Sequence, residues 1–310
     1  MTRGVHPKLS PDGRTVYFVG EGTEPPGIFA ADLDGGAARR LTSDKPGGHA
    51  VPPFVLSPDG ASLAYFVQHE SFNTLFVVPT AGGTPRQVVR LTSREHLIPA
   101  WSPDGTRLAY SHQNGLYAIP ASGGDAIKIA HLYAWDGWTV QWSPDGAHIA
   151  ALAWASPATQ NQVFVVDAAG GDPRQVTPTS APGYKEGLAW SPDSRRLTYM
   201  YYGDDDRGDG TRVAYLDGRP PTVLVDQARP LWDYVGVWNP VSADFYFIAS
   251  AENSWGLYAH TEAVASTRIV WSDLSMKPGS GIPAFSRDGT VMTWATTQTA
   301  RQLWVITNPR

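Results

Sequence analysis

The sequence has no cysteine among its 310 residues. That excludes disulfides, thiolate zinc sites and a cysteine nucleophile. No apolar run approaches the ~20 residues that a bilayer-spanning helix needs, and the opening MTRGVHPKLSPDG lacks the apolar core of a signal peptide. The expectation is a soluble chain, cytoplasmic as written, or periplasmic or secreted if a leader has been removed. Positive charge is also scarce: 24 Lys plus Arg stand against 29 Asp plus Glu, a formal net charge of -5. Nothing in that balance favours nucleic acid as a partner. Three signatures of chemistry are missing as well. There is no Gly-x-Ser-x-Gly elbow of a serine hydrolase, no Gly-rich phosphate loop and no His-Glu-x-x-His helix.

What is abundant is aromatic and turn-forming. Twelve Trp, 31 Gly and 26 Pro suit short strands joined by tight turns better than helices. They are arranged in repeats: LSPDGRTVYF from Leu9, LSPDGASLAY from Leu56, WSPDGTRLAY from Trp101, WSPDGAHIAA from Trp142 and WSPDSRRLTY from Trp190. Two looser copies are WNPVSADFYF from Trp238 and FSRDGTVMTW from Phe285. The turns start at Ser10, Ser57, Ser102, Ser143, Ser191, Asn239 and Ser286, in steps of 41 to 48 residues that fill the chain. That is the length of a propeller blade.

Each unit repeats one grammar. A short inner strand enters the Ser-Pro-Asp-Gly turn, where Pro fixes φ at the first central position, Asp suits the second and Gly takes the left-handed conformation. A second apolar strand follows, such as LAYFV (63–67), then a third, such as LFVVP (75–79) or VFVVD (163–167). A two-Gly hairpin at 35–36, 82–83, 123–124 or 170–171 leads to a fourth strand such as RQVVRLTS (86–93). Near-continuous apolar strands fit sheets covered on both faces. The expected fold is all-β: a single seven-bladed β-propeller domain over residues 1–310, with four-stranded antiparallel blades and no helix beyond a turn or two. The final QLWVITNPR (302–310) reads as a third strand with nothing left for a fourth. Either the last blade has three strands, or these residues were cut from a longer protein.

The Trp/Leu-Ser-Pro-Asp-Gly-x-x-Leu-Ala-Tyr pattern, with its Gly-Gly hairpin and Arg-Gln-Leu-Thr-like strand, resembles the WD-like repeat of TolB-type propellers over the whole chain. Units six and seven depart from it: Val241 and Ser242 replace Asp-Gly, and Arg287 replaces Pro. The resemblance implies fold more than function. The same repeat serves TolB, oligogalacturonate lyases, and the N-terminal domains of prolyl-oligopeptidase-like and amidohydrolase-like enzymes.

In a propeller the loops leading into the inner strands gather at the mouth of the central channel. Here those loops carry His49, Glu95, His96, Trp135, Asp136, Trp138, Tyr184, Lys185, Glu186, Trp232, Asp233 and Tyr234. Aromatic walls with a few polar groups describe a pocket for a peptide, a protein partner or a small ligand. In a binding propeller Trp135, Trp138 and Tyr234 supply apolar contact, while Asp136, Lys185, Glu186 and Asp233 orient polar groups. In an enzyme, a lyase or hydrolase, His96 or His49 acts as base with Asp136, Glu186 or Asp233 as partner, or these groups hold a divalent metal. Oligogalacturonate lyases, by the resemblance, carry several His and a metal in the channel. Only His49 and His96 of the eight His precede inner strands, with His6 a third; His69, His112, His131, His148 and His260 are assigned elsewhere. Binding without a nucleophilic site is therefore the favoured reading, with no cofactor, no membrane insertion and a monomer expected.

One acidic cluster stands apart from that mouth. GDDDRGDG (203–210) brings Asp204, Asp206 and Asp209 together as hard oxygen ligands for Ca²⁺. Read as a hand-type loop from Asp205, Gly210 takes the sixth place, but Leu216 stands where a bidentate Glu belongs. The favoured reading is a solvated acidic tip between the second and third strands of blade five. Its Arg207-Gly208-Asp209 resembles an integrin-binding tripeptide.

Overall fold

The Ser-Pro-Asp-Gly turns owe their rigidity to the serine. In the computed structural model, Ser102 Oγ donates to Asp104 Oδ1 at 2.5 Å and accepts the Arg107 N–H at 2.9 Å, while Asp104 Oδ1 accepts the Thr106 N–H at 3.0 Å. The Gly105 N–H closes the turn on the Ser102 carbonyl at 2.8 Å. Ser10, Ser57, Ser143, Ser191 and Ser286 make the same hydroxyl–carboxylate bond at 2.5 to 2.7 Å. The Ser hydroxyl and then a backbone N–H hold the carboxyls of Asp12, Asp104 and Asp288 below the usual carboxylate range. In the sequence pattern Ser only starts the turn; in the fold it is the hub. Replacing Ser102, which is fully buried, by Ala strands the Arg107 N–H and should cost about 1–3 kcal/mol. A denaturant midpoint equal to that of the wild type would contradict this.

The structure describes residues 3–21, 27–42, 54–92, 98–134, 140–154, 160–178, 183–203, 209–226, 236–251, 254–261, 266–273, 284–296 and 302–307. Among the described residues all elements are strands, paired antiparallel. Blade one is β1 (Arg3–Leu9), β2 (Thr15–Glu21), β3 (Gly27–Asp32) and β4 (Arg39–Arg40). Blade two is β5 (Val55–Leu56), β6 (Ser62–Gln68), β7 (Asn73–Pro79) and β8 (Arg86–Leu91). Blade three is β9 (Ala100–Trp101), β10 (Arg107–His112), β11 (Gly115–Pro120) and β12 (Ile127–His131). In blade four the inner strand comes in two pieces, β13 (Tyr133–Ala134) and β14 (Val140–Trp142), before β15 (His148–Trp154), β16 (Asn161–Asp167) and β17 (Arg174–Gln175). Blade five is β18 (Tyr184–Trp190), β19 (Arg196–Tyr202), β20 (Gly210–Tyr215) and β21 (Thr222–Asp226). Blade six is β22 (Val237–Trp238), β23 (Phe245–Ala251), β24 (Ser254–Thr261) and β25 (Ser266–Asp273). Blade seven has three strands, β26 (Ala284–Phe285), β27 (Val291–Thr296) and β28 (Gln302–Thr307). The fold is the expected all-β seven-bladed propeller with a three-stranded last blade.

Contacts gather the chain into two compact units. Residues 45–229 hold blades two to five; residues 1–44 with 230–310 hold blades one, six and seven. Within the first, both faces of a blade are buried against neighbours. Ala64, Phe66, Leu75 and Val77 of blade two pack on Leu108, Tyr110 and Ile119 of blade three. Ala109, Leu116 and Ala118 pack on Ile149, Ala151 and Phe164 of blade four. The tryptophan before the turn also ties successive inner strands, since Trp101 Nε1 donates to the Val55 carbonyl at 3.3 Å and Trp190 Nε1 to the Gln141 carbonyl at 3.2 Å.

Both departures from the turn pattern have physical reasons. Arg287, standing where other turns have Pro, donates its backbone N–H to the Pro11 carbonyl of blade one at 3.0 Å, a bond proline cannot make. In blade six, Asn239 Oδ1 accepts the Val241 and Ser242 N–H groups, and Asn239 Nδ2 donates to the Gly289 carbonyl of blade seven. The left-handed residue there is Ala243, one place later than the usual Gly.

Candidate functional site

Strand direction decides which residues share an end of a blade. We call the end where the inner strand begins the upper end; the Ser-Pro-Asp-Gly turns and Gly-Gly hairpins lie at the lower. In an antiparallel blade the link from second to third strand also emerges at the upper end, as does the close of the fourth strand. In blade five Tyr184, first residue of β18, pairs with Tyr202, the last of β19, and Tyr201 pairs with Gly210. The acidic segment therefore leaves blade five at the same end as the inner-strand approach, a correction to the separation expected from sequence. Gly210–Tyr215 forms strand β20, so no twelve-residue hand-type loop runs through it. Asp209 Oδ1 accepts the Gly203 N–H at 3.1 Å; Asp204 and Asp206 lie outside the described residues.

The histidine assignment changes for the same reason. His112 pairs with Gly115, which pairs with His131, so both sit at the upper end of blade three. His69 lies at the upper end of blade two, stacked on Phe72 with centroids 4.1 Å apart, and the Arg90 guanidinium covers that ring at 3.7 Å. The sequence pattern alone places all three elsewhere. Following chain direction through the four strands would have found them. Among the described residues, no three His, Asp or Glu gather closely enough to hold a metal ion.

Of the proposed ligand contacts, Tyr184, Lys185 and Glu186 fall in described structure. His49, Glu95, His96, Trp135, Asp136, Trp138, Trp232, Asp233 and Tyr234 lie outside it. Tyr184 and Glu186 are half-buried on β18, and the Tyr184 ring lies 6.5 Å from that of Tyr202. Lys185, between them, is fully buried. Its Nζ donates to the Gly183 carbonyl at 2.6 Å and stands 5.5 Å from the centroid of Tyr201, whose other neighbour is the Arg212 guanidinium at 4.1 Å. Burial, and then the charge of Arg212, bring the Lys185 ammonium down to about 8. Tyr201 Oη accepts the Gly183 N–H at 3.2 Å, so Gly183 is held through both its backbone groups. Asn161 of β16, which sequence reading overlooked, completes the clamp. Its Nδ2 donates to the Lys185 carbonyl at 2.5 Å and its Oδ1 accepts the Lys185 N–H at 2.8 Å. Lys185 thus holds the strand rather than presenting charge at its surface.

The inner strands carry a shared irregularity. In β18, Glu186 pairs with Met200 and Leu188 with Tyr199, leaving Gly187 as an extra residue with φ +52°. In β1 the equivalent place is His6, with φ +54°, between Val5 and Lys8. In blade four Ala134 pairs with Ala153 and Val140 with Ala151. Between those pairs the chain of blade four is five residues long, 135–139, where the matching stretch of blade five has two, Glu186 and Gly187. Bulges of this kind re-aim side chains next to sites.

The family model of the TolB beta propeller domain matches residues 2–207. Among solved structures, an oligogalacturonate lyase in complex with manganese is 17% identical, with 100% of this chain and 90% of that chain covered and a TM-score of 0.75. TolB from Acinetobacter baumannii is 16% identical, with 98% and 76% covered and a TM-score of 0.57. A Mycobacterium tuberculosis puromycin-hydrolyzing peptidase is 16% identical, with 100% and 52% covered and a TM-score of 0.72. At these identities the likeness is one of fold.

Proposed function

Because the chain belongs to the TolB beta propeller domain family, we propose that it is a binding propeller, taking a peptide, a protein partner or a small ligand at the upper end of blades two to five, with no nucleophile of its own. The observation that carries this reading is the locked approach of β18. Gly183 is fixed by Tyr201 and Lys185, Asn161 clamps the Lys185 backbone, and Tyr184 and Glu186 are thereby held half-buried at the rim. A rim fixed before its ligand arrives loses little conformational entropy on binding. Trp135, Trp138, Asp136, His96 and His49 come from the neighbouring approaches of the same unit and supply the remaining aromatic and polar groups. Trp232, Asp233 and Tyr234 precede the inner strand of blade six.

The test starts from peptides selected on the folded chain from a displayed library and measured by calorimetry. Trp135→Ala and Glu186→Gln should each weaken binding at least tenfold, about 1.4 kcal/mol, with unchanged melting. Turnover of ester, peptide or oligogalacturonate substrates, with or without added manganese, would replace binding by catalysis. Full affinity in both variants, with loss on changing Asp204 and Asp206, would move the site to the acidic segment.

A further inference from the structure

The link between β6 and β7 carries a three-layer stack. The His69 N–H donates to the Phe72 carbonyl at 2.8 Å and closes a tight hairpin, with Glu70 and Ser71 exposed at its tip. The His69 ring lies on the Phe72 ring with 4.1 Å between centroids, and the Arg90 guanidinium of β8 stands 3.7 Å from the same Phe72 centroid. At these distances each face of the ring has room for one partner, so Phe72 is held between imidazole and guanidinium. That contact restrains the guanidinium and leaves the N–H donors at its edge for a planar acceptor. Arg90 is exposed, and among the described residues those donors have no hydrogen-bond or ion-pair partner. Glu70, on the same hairpin, forms no ion pair with it.

Two other arginines of the protein show what such a group takes. Arg219 stands over the Tyr215 ring at 3.6 Å and holds Asp217 at 3.3 Å. Arg268 stands over the Tyr246 ring at 5.9 Å and holds Asp244 at 3.4 Å. In both, the chain itself supplies the carboxylate; at Arg90 the described residues supply none. The surroundings are also positive. At the upper end of blade three, in the same compact unit, Lys128 Nζ reaches His131 Nδ1 at 3.4 Å, and His69, His112 and His131 share that end. Among the described residues, Glu70 is the one carboxylate against them at the upper ends of blades two and three. In a chain of net charge -5 this is a local reversal of sign, and it steers acidic groups toward this end. The negative charge of the whole chain repels a densely charged polyanion and favours a ligand with a few carboxylates.

We propose that the tip of blade two is a carboxylate seat: Arg90, braced on Phe72 and His69, donates its N–H fork to an aspartate or glutamate side chain of an acidic peptide segment. This rests on the upper end of blades two to five as the binding face, and adds the charge of the ligand bound there. An arginine–carboxylate pair of this kind is bidentate, so it fixes orientation as well as charge. The stack is formed before the ligand arrives, so little side-chain freedom is lost on binding.

The probe is a tetraglutamate peptide blocked at both ends, added to the full chain at low salt and followed through the proton resonances of the His69 ring. Those resonances should shift saturably. Arg90→Gln should weaken the fitted affinity by about tenfold or more, the scale of one charge-assisted pair. Arg90→Lys keeps the charge and loses the fork, so it should bind more like Arg90→Gln than like wild type. Arg219→Gln removes the same charge at the lower end of blade five and should bind as wild type does. Three results would overturn the proposal: silent His69 resonances, equal affinity in Arg90→Gln and wild type, or equal losses in Arg90→Gln and Arg219→Gln. A response to tetraglutamine with a free C-terminus, but not to blocked tetraglutamate, would also overturn it and assign the seat to chain ends. Tighter binding of inorganic phosphate than of the peptide would do the same and assign it to phosphate. A silent His69 leaves the binding propeller itself standing, because Trp135→Ala and Glu186→Gln test that with their own peptides.

Discussion

The unfolding free energy should rise with pH between about 8 and 10.5, and a good part of that rise should disappear in Lys185→Met. The Lys185 ammonium is fully buried, and burial followed by Arg212 brings it from 10.5 to about 8. In that window the unfolded chain holds the proton and the folded chain has released it, so stability grows as pH increases. A shift of this size corresponds to about 3 kcal/mol, at about 1.4 kcal/mol for each pH unit. Below pH 8 both states are charged and the full cost of burying the ammonium is present. Above pH 10.5 both are neutral and the cost is gone. The measurement is the difference between wild type and Lys185→Met in denaturant unfolding at successive pH values, which cancels groups common to both. Methionine should be the more stable at pH 7 and lose that advantage by pH 10.5. There the order should reverse, because a neutral amine still donates to the Gly183 carbonyl and a thioether does not. A difference that stays flat with pH would show that the ammonium is solvated.

Lys185 also marks where sequence reading stopped. The blades were legible because each rests on local rules: Pro and Gly place the turn, apolar runs place the strands, and seven copies confirm the period. The second-strand apolar residues, such as Leu63 and Leu108, are buried as their runs imply. Two aspects of the candidate site needed more than local pattern. The first was direction. His69, His112, His131 and the acidic segment share the upper end with the inner-strand approaches because each antiparallel strand reverses the chain, and grouping residues only by the loop before an inner strand misses this. The second was orientation on β18. Tyr184, Lys185 and Glu186 read as one polar run, but alternation places Lys185 on the opposite face from its neighbours, and the extra residue Gly187 changes which of the following residues share that face. No rule of composition reports that a lysine lies against Tyr201 with Asn161 closing on its backbone, because the contacts join residues 24 apart in neighbouring blades.

Tyr201→Ala should be the most damaging single change at this site, lowering stability by about 3–5 kcal/mol as expected for removing a buried aromatic ring. Three losses coincide. The ring is 1% exposed, so its removal leaves a cavity in the core it shares with Leu152, Val163 and Leu188 of blades four and five. The Lys185 ammonium and the Arg212 guanidinium lose the ring they share. The Gly183 N–H loses its acceptor. Spread over the unfolding entropy of a chain this long, the change corresponds to a fall in melting temperature of roughly 5–8 °C. Tyr201→Phe keeps the ring and gives up the Gly183 bond, at about 1 kcal/mol. The pair separates packing from tethering: if the two variants melt together, the ring matters little and the hydroxyl holds the site. The approach to β18 gives a second readout. Hydrogen exchange at Gly183 and Tyr184 should quicken in Tyr201→Phe while Leu197 and Tyr199 stay protected, since the inner part of the blade keeps its packing. Equal exchange at Gly183 in Tyr201→Phe and wild type would mean that Lys185 and Asn161 hold this segment without the tyrosine hydroxyl.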